Sequence, residues 1–162
     1  MSPATSSPSE RVHLVTGLLE RAGALLLVES RYPNRRDALW NLPGGRQRDG
    51  ELLGTALARE FLEETGLTIE RGPLAYVAES YDRATGVHFV NFAFRVRAEG
   101  EPSVPPGDAH AIAAKWVARA DLAAQLVIAV VREPLLGYLR GERSRYTGFD
   151  DAGVTIEFAD PA

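Results

Sequence analysis

Residues 51–65 form a predicted helix that sets strict limits on how this chain folds. The segment is rich in Leu, Ala, Arg and Glu and contains no proline, a composition that favours a helix. Three apolar residues have the i, i+3, i+4 spacing of a core-facing stripe: Leu53, Ala56 and Leu57. Glu60 continues that stripe, and Glu63 and Glu64 lie within an arc of about 100° on the same helix face. The sequence therefore predicts carboxylates on a helix surface that faces the core.

Carboxylates crowded on an inward face need a compensating charge. Like charges at i,i+4 destabilise even an exposed helix, and burial makes the cost larger. A divalent cation removes this repulsion, and ligands that are all oxygen favour the hard ions Mg²⁺ and Mn²⁺. For an isolated E-x-x-E-E segment, a solvated Glu-rich helix is the simpler interpretation. The metal hypothesis therefore depends on the residues around the three glutamates.

The composition narrows the classes of protein to which the chain can belong. Its 162 residues, 45% hydrophobic and 25% charged, predict one globular domain over residues 11–162 after a disordered tail at residues 1–10. The net charge of −4 gives no general attraction to nucleic acid or anionic membranes. The absence of cysteine excludes disulfides and thiolate zinc sites. No apolar run approaches the roughly 20 residues of a membrane span, so we expect a cytoplasmic protein.

Apolar stretches and turn residues predict strands on both sides of the acidic helix. Residues 12–19 and 24–28 are expected to form a hairpin, and residues 30–38 a polar surface loop. The further predicted strands cover residues 67–69, 74–78, 88–96, 114–117 and 154–158. Together with two helices, these strands predict an α/β or α+β sandwich.

The helix ends are predicted from their capping residues. Asp49 or Gly50 is expected to cap the start of the acidic helix, and Gly66 its end. A second helix is expected over residues 121–132, capped by its first residue and interrupted by Pro134. The apolar run 122–131 leaves two interpretations open, a core helix or part of a homodimer face.

A longer motif surrounds the acidic helix. From Gly45 to Leu67 the sequence reads G-x5-E-x7-R-E-F-x-E-E-x-G-L. This resembles the Nudix box, and every fixed position of that box is filled. The preceding W-N-L-P-G-G, residues 40–45, and the strand at 114–117 are also similar to the family. The resemblance implies a Nudix-type α/β/α sandwich with a mixed β-sheet and a catalytic loop–helix–loop.

The resemblance also implies roles for residues of the box. The implied metal ligands are Glu60, Glu63, Glu64 and the backbone carbonyl of Gly44, with Mg²⁺ or Mn²⁺ as the ion. Glu63 is either a third ligand or the group that activates water, so Glu63 and Glu64 are the implied catalytic carboxylates. Arg59 is expected to orient Glu63, and Glu51 to support the helix start and the acidic cluster.

One departure from the family pattern lies downstream of the box. Many Nudix proteins have an acidic segment shortly before the Trp-containing strand, and it often supplies a further metal ligand or a base. Here His110 stands where Glu is common, and Asp108 is close by. Two alternatives stay open: one of these residues substitutes for the usual carboxylate, or catalysis relies on the box alone.

Substrate contacts are harder to assign from the sequence. Arg35 and Arg36 are candidates for gripping a phosphate, although an Arg pair in a polar loop is often only solvated. Trp40 either stacks on a base or packs into the core. Tyr81 and Asn91 belong to a polar and aromatic hairpin region that either reads the base or ribose or forms an ordinary turn.

The function implied by the resemblance is Mg²⁺-dependent hydrolysis of a phosphoanhydride bond. The expected substrate is a small molecule in which a nucleoside diphosphate is linked to another moiety, as in ADP-ribose or a nucleotide sugar. One alternative is hydrolysis of a nucleoside triphosphate to monophosphate and pyrophosphate, with an oxidised deoxynucleotide as the substrate to be removed. An alternative of another class is a non-catalytic nucleotide-sensing module.

Overall fold

The computed structural model describes residues 10–107 and 110–151. The strands are Arg11–Arg21 (β1), Ala24–Ser30 (β2), Leu39–Asn41 (β3), Gly44–Arg46 (β4), Glu70–Tyr81 (β5), His88–Arg97 (β6), Ala111–Ala118 (β7) and Tyr146–Phe149 (β8). The helices are Leu53–Thr65 (α1), Leu122–Gln125 (α2) and Ala129–Leu139 (α3), with a 3₁₀ turn at Arg119–Asp121. No helix in these two ranges combines the length and the apolar character needed to cross a bilayer.

The strands form one mixed sheet. Its order is β3-β2-β1-β6-β5-β8, with β4 added to β1 and β7 added to β2. The β1–β6 and β5–β8 pairs are parallel and the other pairs are antiparallel. The short strand β4 places Gly44 beside Thr16 and Gly45 beside Val15 in β1. The Pro-Gly-Gly turn is thereby fixed against a buried strand of the sheet.

Helices cover both faces of the sheet. One cluster joins α1 to the sheet and consists of Val15, Leu19, Leu26, Ala56, Leu57, Phe61, Leu67, Phe94 and Val96. The other cluster lies under α2 and α3 and consists of Leu18, Leu25, Leu27, Leu42, Ala75, Tyr76, Ala93, Val117, Leu122, Leu126 and Leu135. The predicted α/β/α sandwich with a mixed sheet is therefore confirmed. That residues 11–162 form a single domain stays a prediction.

The acidic helix was predicted almost to its ends. Gly66 is the left-handed C-terminal cap, with φ 69°, as expected. The predicted N-terminal cap is wrong, because Leu52 occupies that position and makes no side-chain capping bond. The predicted strand at 67–69 is also wrong, since the Leu67 amide donates to the Thr65 hydroxyl at the end of the helix (3.2 Å).

The helical region after β7 differs from its prediction. The expected single helix over 121–132 is broken at residues 126–128, where Leu126 and Ile128 take extended conformations and both side chains are buried. Asp121 makes no side-chain capping bond. Pro134 lies inside α3 and does not end it, at the cost of one backbone hydrogen bond. Burial of Leu126 and Ile128 takes precedence here over local helix signals.

The structure describes only part of the elements predicted near the two ends of the chain. The hairpin 12–19 and 24–28 is confirmed by β1 and β2, which pair through a two-residue turn. Residues 1–9 of the predicted tail and the predicted strand 154–158 lie outside the described residues. The last described strand, β8, was not predicted.

A buried tyrosine in the second cluster yields a stability prediction. The Tyr76 side chain is 4% exposed, and its hydroxyl has no hydrogen-bond partner among the described residues. Burial also raises the pKa of this phenol. An unsatisfied buried hydroxyl costs about 1–3 kcal/mol. We expect Tyr76→Phe to raise the free energy of unfolding by about 1 kcal/mol in a urea titration. A loss of stability would show that the hydroxyl has a bonding partner.

Candidate active site

Glu60 lies directly over the backbone of β4. Its side chain is 15% exposed, and a Cβ atom at position 45 would lie 2.6 Å from the Glu60 carboxyl carbon. Only glycine therefore allows this carboxylate to rest on the strand. Burial raises the pKa of Glu60, while hydrogen bonds with Arg59 and Glu64 oppose that shift.

Glu64 follows one helical turn later and is more deeply buried, at 7% exposure. The Gly44 amide faces its Oε2 at 3.4 Å. Gly44 has φ 153°, and a Cβ atom at this position would overlap the carbonyl oxygen of Val15. Glu60 and Glu64 thus share one small area above the two glycines.

Glu63 is placed differently from its two neighbours. Its side chain is 43% exposed and contacts Arg59 at 3.3 Å. The prediction of an inward-facing carboxylate is therefore correct for Glu60 and Glu64 and wrong for Glu63. Glu63 lies at the solvent edge of the cluster, where a water molecule can reach it.

Arg59 connects the carboxylates. Its Nε and Nη2 donate to the two oxygens of Glu51 at 2.7 and 2.8 Å, a bidentate pair. Its Nη1 donates to Glu60 at 2.9 Å and to Glu63 at 3.3 Å, and Nη2 also donates to the Arg46 carbonyl at 3.1 Å. The contact with Glu63 exists, but it is the longest of the set. Arg59 is held chiefly by Glu51 and Glu60.

Glu51 braces the start of the helix through the loop before it. Its Oε1 accepts a hydrogen bond from the Arg48 backbone amide at 2.9 Å, and its backbone carbonyl accepts one from the Gln47 side-chain amide at 2.7 Å. The hydrogen bond from Arg59 lowers the pKa of Glu51 to about 2. The Glu51–Arg59 pair therefore ties the loop 46–50 to α1.

This low pKa predicts an effect on acid stability. A carboxyl whose pKa falls on folding stabilises the fold above its unfolded pKa of about 4.3, and that contribution disappears as the pH drops toward 2. We expect the wild-type protein to lose stability over this pH range more steeply than Glu51→Gln. Urea midpoints at pH 7, 4 and 3 measure the difference, with the exposed Glu99→Gln as control. Parallel curves for wild type and Glu51→Gln would contradict the role given to this pair.

The donor atoms at this site suit a hard divalent cation. The carboxylates of Glu60, Glu63 and Glu64 and the backbone of Gly44 supply only oxygen ligands. The glycines let the carboxylates approach the backbone closely, as the Gly45–Glu60 contact shows. In residues 10–107 and 110–151, no three acidic or histidine side chains converge on one point. Arg59 instead holds Glu60 and Glu63 at its guanidinium.

The candidate substrate residues are spread over several elements. Arg35 and Arg36 are exposed in the loop after β2 and form no ion pair with a described residue. Tyr81 is 37% exposed at the end of β5, and its ring contacts His88 edge-on. Asn91 on β6 donates to the Thr16 hydroxyl at 3.1 Å. Of these candidates, Asn91 is linked to the glycine turn, because its partner Thr16 lies beside Gly44 of β4.

Trp40 packs against the cluster under α2 and α3. The Lys115 Nζ lies 4.2 Å from the centroid of its ring and also donates to Gln125 at 2.9 Å. Trp40 is therefore half-buried against the core cluster, and this lysine covers part of the ring surface.

The substitution of His110 or Asp108 for the usual downstream carboxylate stays a prediction. His110 is exposed, and its backbone carbonyl accepts the Arg31 amide at 2.9 Å. Asp108 lies outside the described residues.

Tyr32 is a residue of this region that was not predicted to matter, because it lies in the polar loop 30–38. Its side chain is only 8% exposed, and its hydroxyl accepts a hydrogen bond from the Asn41 amide at 3.0 Å. Burial raises the pKa of Tyr32 to about 12, and the nearby charge of Glu64 contributes to this rise. A lone aromatic residue in an otherwise polar loop was the available signal.

Comparison with known proteins agrees with this geometry. The family model described as NUDIX domain matches residues 10–136. The chain is 34% identical to the 8-oxo-dGDP phosphatase NUDT18 of Homo sapiens over 68% of its own length, and it spans about a third (33%) of that relative. It is 28% identical to Phosphatase NudJ of Escherichia coli K12, covering 80% of this chain and 84% of NudJ.

A solved structure has the same fold. The NUDIX hydrolase from Nitrosomonas europaea superposes with a TM-score of 0.70 at 23% identity, covering 84% of this chain and 93% of that one. The matched residues 10–136 include the complete motif from Gly45 to Leu67 and both faces of the sheet. The chain therefore belongs to the Nudix hydrolase family.

Proposed function

We propose that this protein hydrolyses a phosphoanhydride bond in a nucleoside diphosphate linked to another moiety, with Mg²⁺ as cofactor. The observation that carries the proposal is the buried carboxylate of Glu64 beside the half-buried carboxylate of Glu60, over Gly44 and Gly45. Carboxylates at this depth are stable as anions only with a compensating charge. Arg59 supplies one positive charge, which leaves the cluster anionic.

The residues of the cluster take distinct parts in this proposal. Glu60, Glu64 and the Gly44 carbonyl are the ligands, and Glu63 is a third ligand or the base. A bound Mg²⁺ would neutralise phosphate charge and lower the pKa of bound water. Arg59 fixes the directions of Glu60 and Glu63 through bonds of 2.9 and 3.3 Å. Because it is paired with Glu51 on its other edge, Arg59 is rigid enough for this role.

The reaction is a displacement at phosphorus. The oxygen of a water molecule forms a bond to one phosphorus of the anhydride, and the bond from that phosphorus to the bridging oxygen breaks. The proton lost by the water passes to a carboxylate, for which the exposed Glu63 is the best placed. Two phosphate monoesters leave when the substrate is of the ADP-ribose or nucleotide-sugar type.

The substrate contacts are proposed from position and chemistry. Arg35 and Arg36 are exposed and offer bidentate donors for phosphate. Tyr81 and Asn91 offer an aromatic ring and an amide for a base or ribose. Trp40 is not proposed for base stacking, because it packs against the core beside Lys115.

An oxidised nucleotide is a second candidate substrate. The relative that is 34% identical over 68% of this chain is named 8-oxo-dGDP phosphatase. Hydrolysis of an oxidised nucleoside diphosphate or triphosphate would use the same carboxylates. The two candidates differ in the base and in the group beyond the second phosphate.

A substrate panel with Mg²⁺ separates these proposals by product identity. ADP-ribose would give AMP and ribose 5-phosphate, whereas a nucleoside triphosphate would give monophosphate and pyrophosphate, and 8-oxo-dGDP would give monophosphate and orthophosphate. Preference for ADP-ribose or a nucleotide sugar supports the first proposal, and preference for 8-oxo-dGDP or an oxidised triphosphate supports the second. Binding without turnover of any of them would favour the nucleotide-sensing alternative.

Cytoplasmic localisation and a homodimer stay predictions. Of the apolar run 122–131, Leu122, Leu126 and Ile128 are buried in this chain's own core, whereas Val127 is 51% exposed. These three buried residues are therefore unavailable to a partner subunit, whereas Ala123, Ala124 and Val127 are exposed.

A further inference from the structure

Tyr32 anchors the loop that carries the two exposed arginines. It is the buried residue in a segment, 31–37, whose other members are all exposed. The Arg35 amide donates to the Tyr32 carbonyl at 3.1 Å, closing a turn directly before Arg36. The position of both guanidinium groups therefore depends on where the Tyr32 ring is held.

Asn41 connects this anchor to the glycine turn. Its Nδ2 donates to the Tyr32 hydroxyl at 3.0 Å, and its Oδ1 accepts the Leu42 amide at 2.7 Å. Pro43 follows, and its carbonyl accepts the Gly17 amide of β1 at 3.0 Å. Both ends of the Asn41 amide are thus engaged at the point where the chain enters the turn.

The same turn leads to Glu64. The Gly44 amide faces the Glu64 carboxylate at 3.4 Å. Tyr32 and Glu64, at the two ends of this stretch, are both less than a tenth exposed. A series of contacts therefore leads from the Tyr32 hydroxyl through the Asn41 amide and Leu42 to the Gly44 turn that faces Glu64.

We propose that Tyr32 is a positioning residue for the Gly44 turn and for the loop that carries Arg35 and Arg36. Its hydroxyl accepts the hydrogen bond of Asn41 and so holds the entry to the turn, which sets Gly44 relative to Glu64. This proposal rests on the proposed function, because it assumes that Gly44 and Glu64 are metal ligands. Loss of a partner that orients a metal ligand typically costs about 10–100-fold in metal affinity or activity.

Tyr32→Phe tests the proposal, because it removes the hydroxyl and leaves the ring. Tyr76→Phe is the matched control, since Tyr76 is also a buried tyrosine but belongs to the core cluster under α2 and α3. Binding of Mn²⁺ to the full chain without substrate is measured by the electron paramagnetic resonance signal of the free ion. We expect Tyr32→Phe to raise the Kd for Mn²⁺ about tenfold. Tyr76→Phe should match wild type.

Two further measurements separate positioning from general stability. Thermal unfolding shows whether Tyr32→Phe remains folded. If Tyr32→Phe does not fold, Asn41→Ala takes its place, because it removes the donor of the same hydrogen bond. With the best substrate of the panel, we expect a lower kcat and a higher KM for Tyr32→Phe and no change for Tyr76→Phe. Tyr32→Phe with wild-type Mn²⁺ affinity and kcat overturns the proposal for Tyr32.

The same titration distinguishes failure of this proposal from failure of the proposed function. If Glu64→Gln weakens Mn²⁺ binding and Tyr32→Phe does not, Tyr32 is a structural residue and the metal site stands. If Glu64→Gln binds Mn²⁺ as wild type does, the assignment of the metal site itself is wrong, and the proposal for Tyr32 falls with it.

Discussion

Replacing Glu64 with Gln is expected to lower kcat by roughly a thousandfold while leaving the protein folded. The amide keeps the shape of the carboxylate and an oxygen that can accept the Gly44 amide, now 3.4 Å away. It removes the negative charge that a divalent cation needs at this buried position. Metal-assisted stabilisation of a phosphoryl transfer is worth several kcal/mol, and about 4 kcal/mol corresponds to a thousandfold in rate.

Although its kcat should fall, metal-free Glu64→Gln should be at least as stable as the metal-free wild-type protein. Glu60 and Glu64 are like charges one helical turn apart, the first half-buried and the second buried, so neutralising one of them relieves repulsion. We expect the urea midpoint of the metal-free variant to equal or exceed that of wild type. The control is Glu70→Gln, which removes an exposed glutamate paired with Arg97 and should change neither kcat nor stability. Turnover by Glu64→Gln close to the wild-type rate would show that the metal site is wrongly assigned.

Gly44→Ala is expected to lower the free energy of unfolding by about 3 kcal/mol, the upper end for overpacking or backbone strain at one residue. Gly44 has φ 153°, and the added Cβ atom would overlap the Val15 carbonyl oxygen and lie 2.7 Å from the Thr16 Cα. These are backbone atoms of a buried strand, which cannot move aside as a side chain can. The substitution should separate β4 from β1, and with it the glycine turn from Glu64.

The matched control is Gly86→Ala. Gly86 also has a positive φ, 74°, but a Cβ atom there would have no neighbour within 4 Å. This variant should lose about 1 kcal/mol from backbone strain alone and keep its activity. Urea unfolding of both variants measures the difference in stability. The activity of each variant, measured at 20 °C without urea, shows whether the site is retained. Equal losses for the two variants would contradict the close approach of β4 to β1.

The acidic cluster could be recognised in the sequence because its carboxylates lie on one helix. At 100° per residue, Glu64 lies near the centre of the arc that contains the buried residues Ala56, Leu57 and Phe61, and it is buried as expected. Glu63 was predicted to face inward, but it lies about 90° from that centre, just outside the arc, and its side chain reaches solvent.

Features that depend on distant residues were not predictable in this way. Tyr32 is buried and its hydroxyl is bonded to Asn41 on the next strand, and a loop has no periodicity that reveals such a contact. Pro134 lies within α3, and the expected helix over 121–132 is interrupted so that Leu126 and Ile128 can both reach the core. In these segments tertiary packing outweighs local propensity.

The most direct test of the metal-dependent hydrolysis proposed here is phosphorus NMR of ADP-ribose turnover in H₂¹⁸O, with Mg²⁺ and with EDTA. We predict AMP and ribose 5-phosphate in the presence of Mg²⁺, with ¹⁸O on the phosphate group of one of them, and no products in EDTA. If the preferred substrate is another nucleotide of the panel, the same label should again appear on phosphorus. Equal turnover in EDTA, or label on carbon and not on phosphorus, would contradict cleavage of a phosphoanhydride bond by a cation held at Glu60 and Glu64.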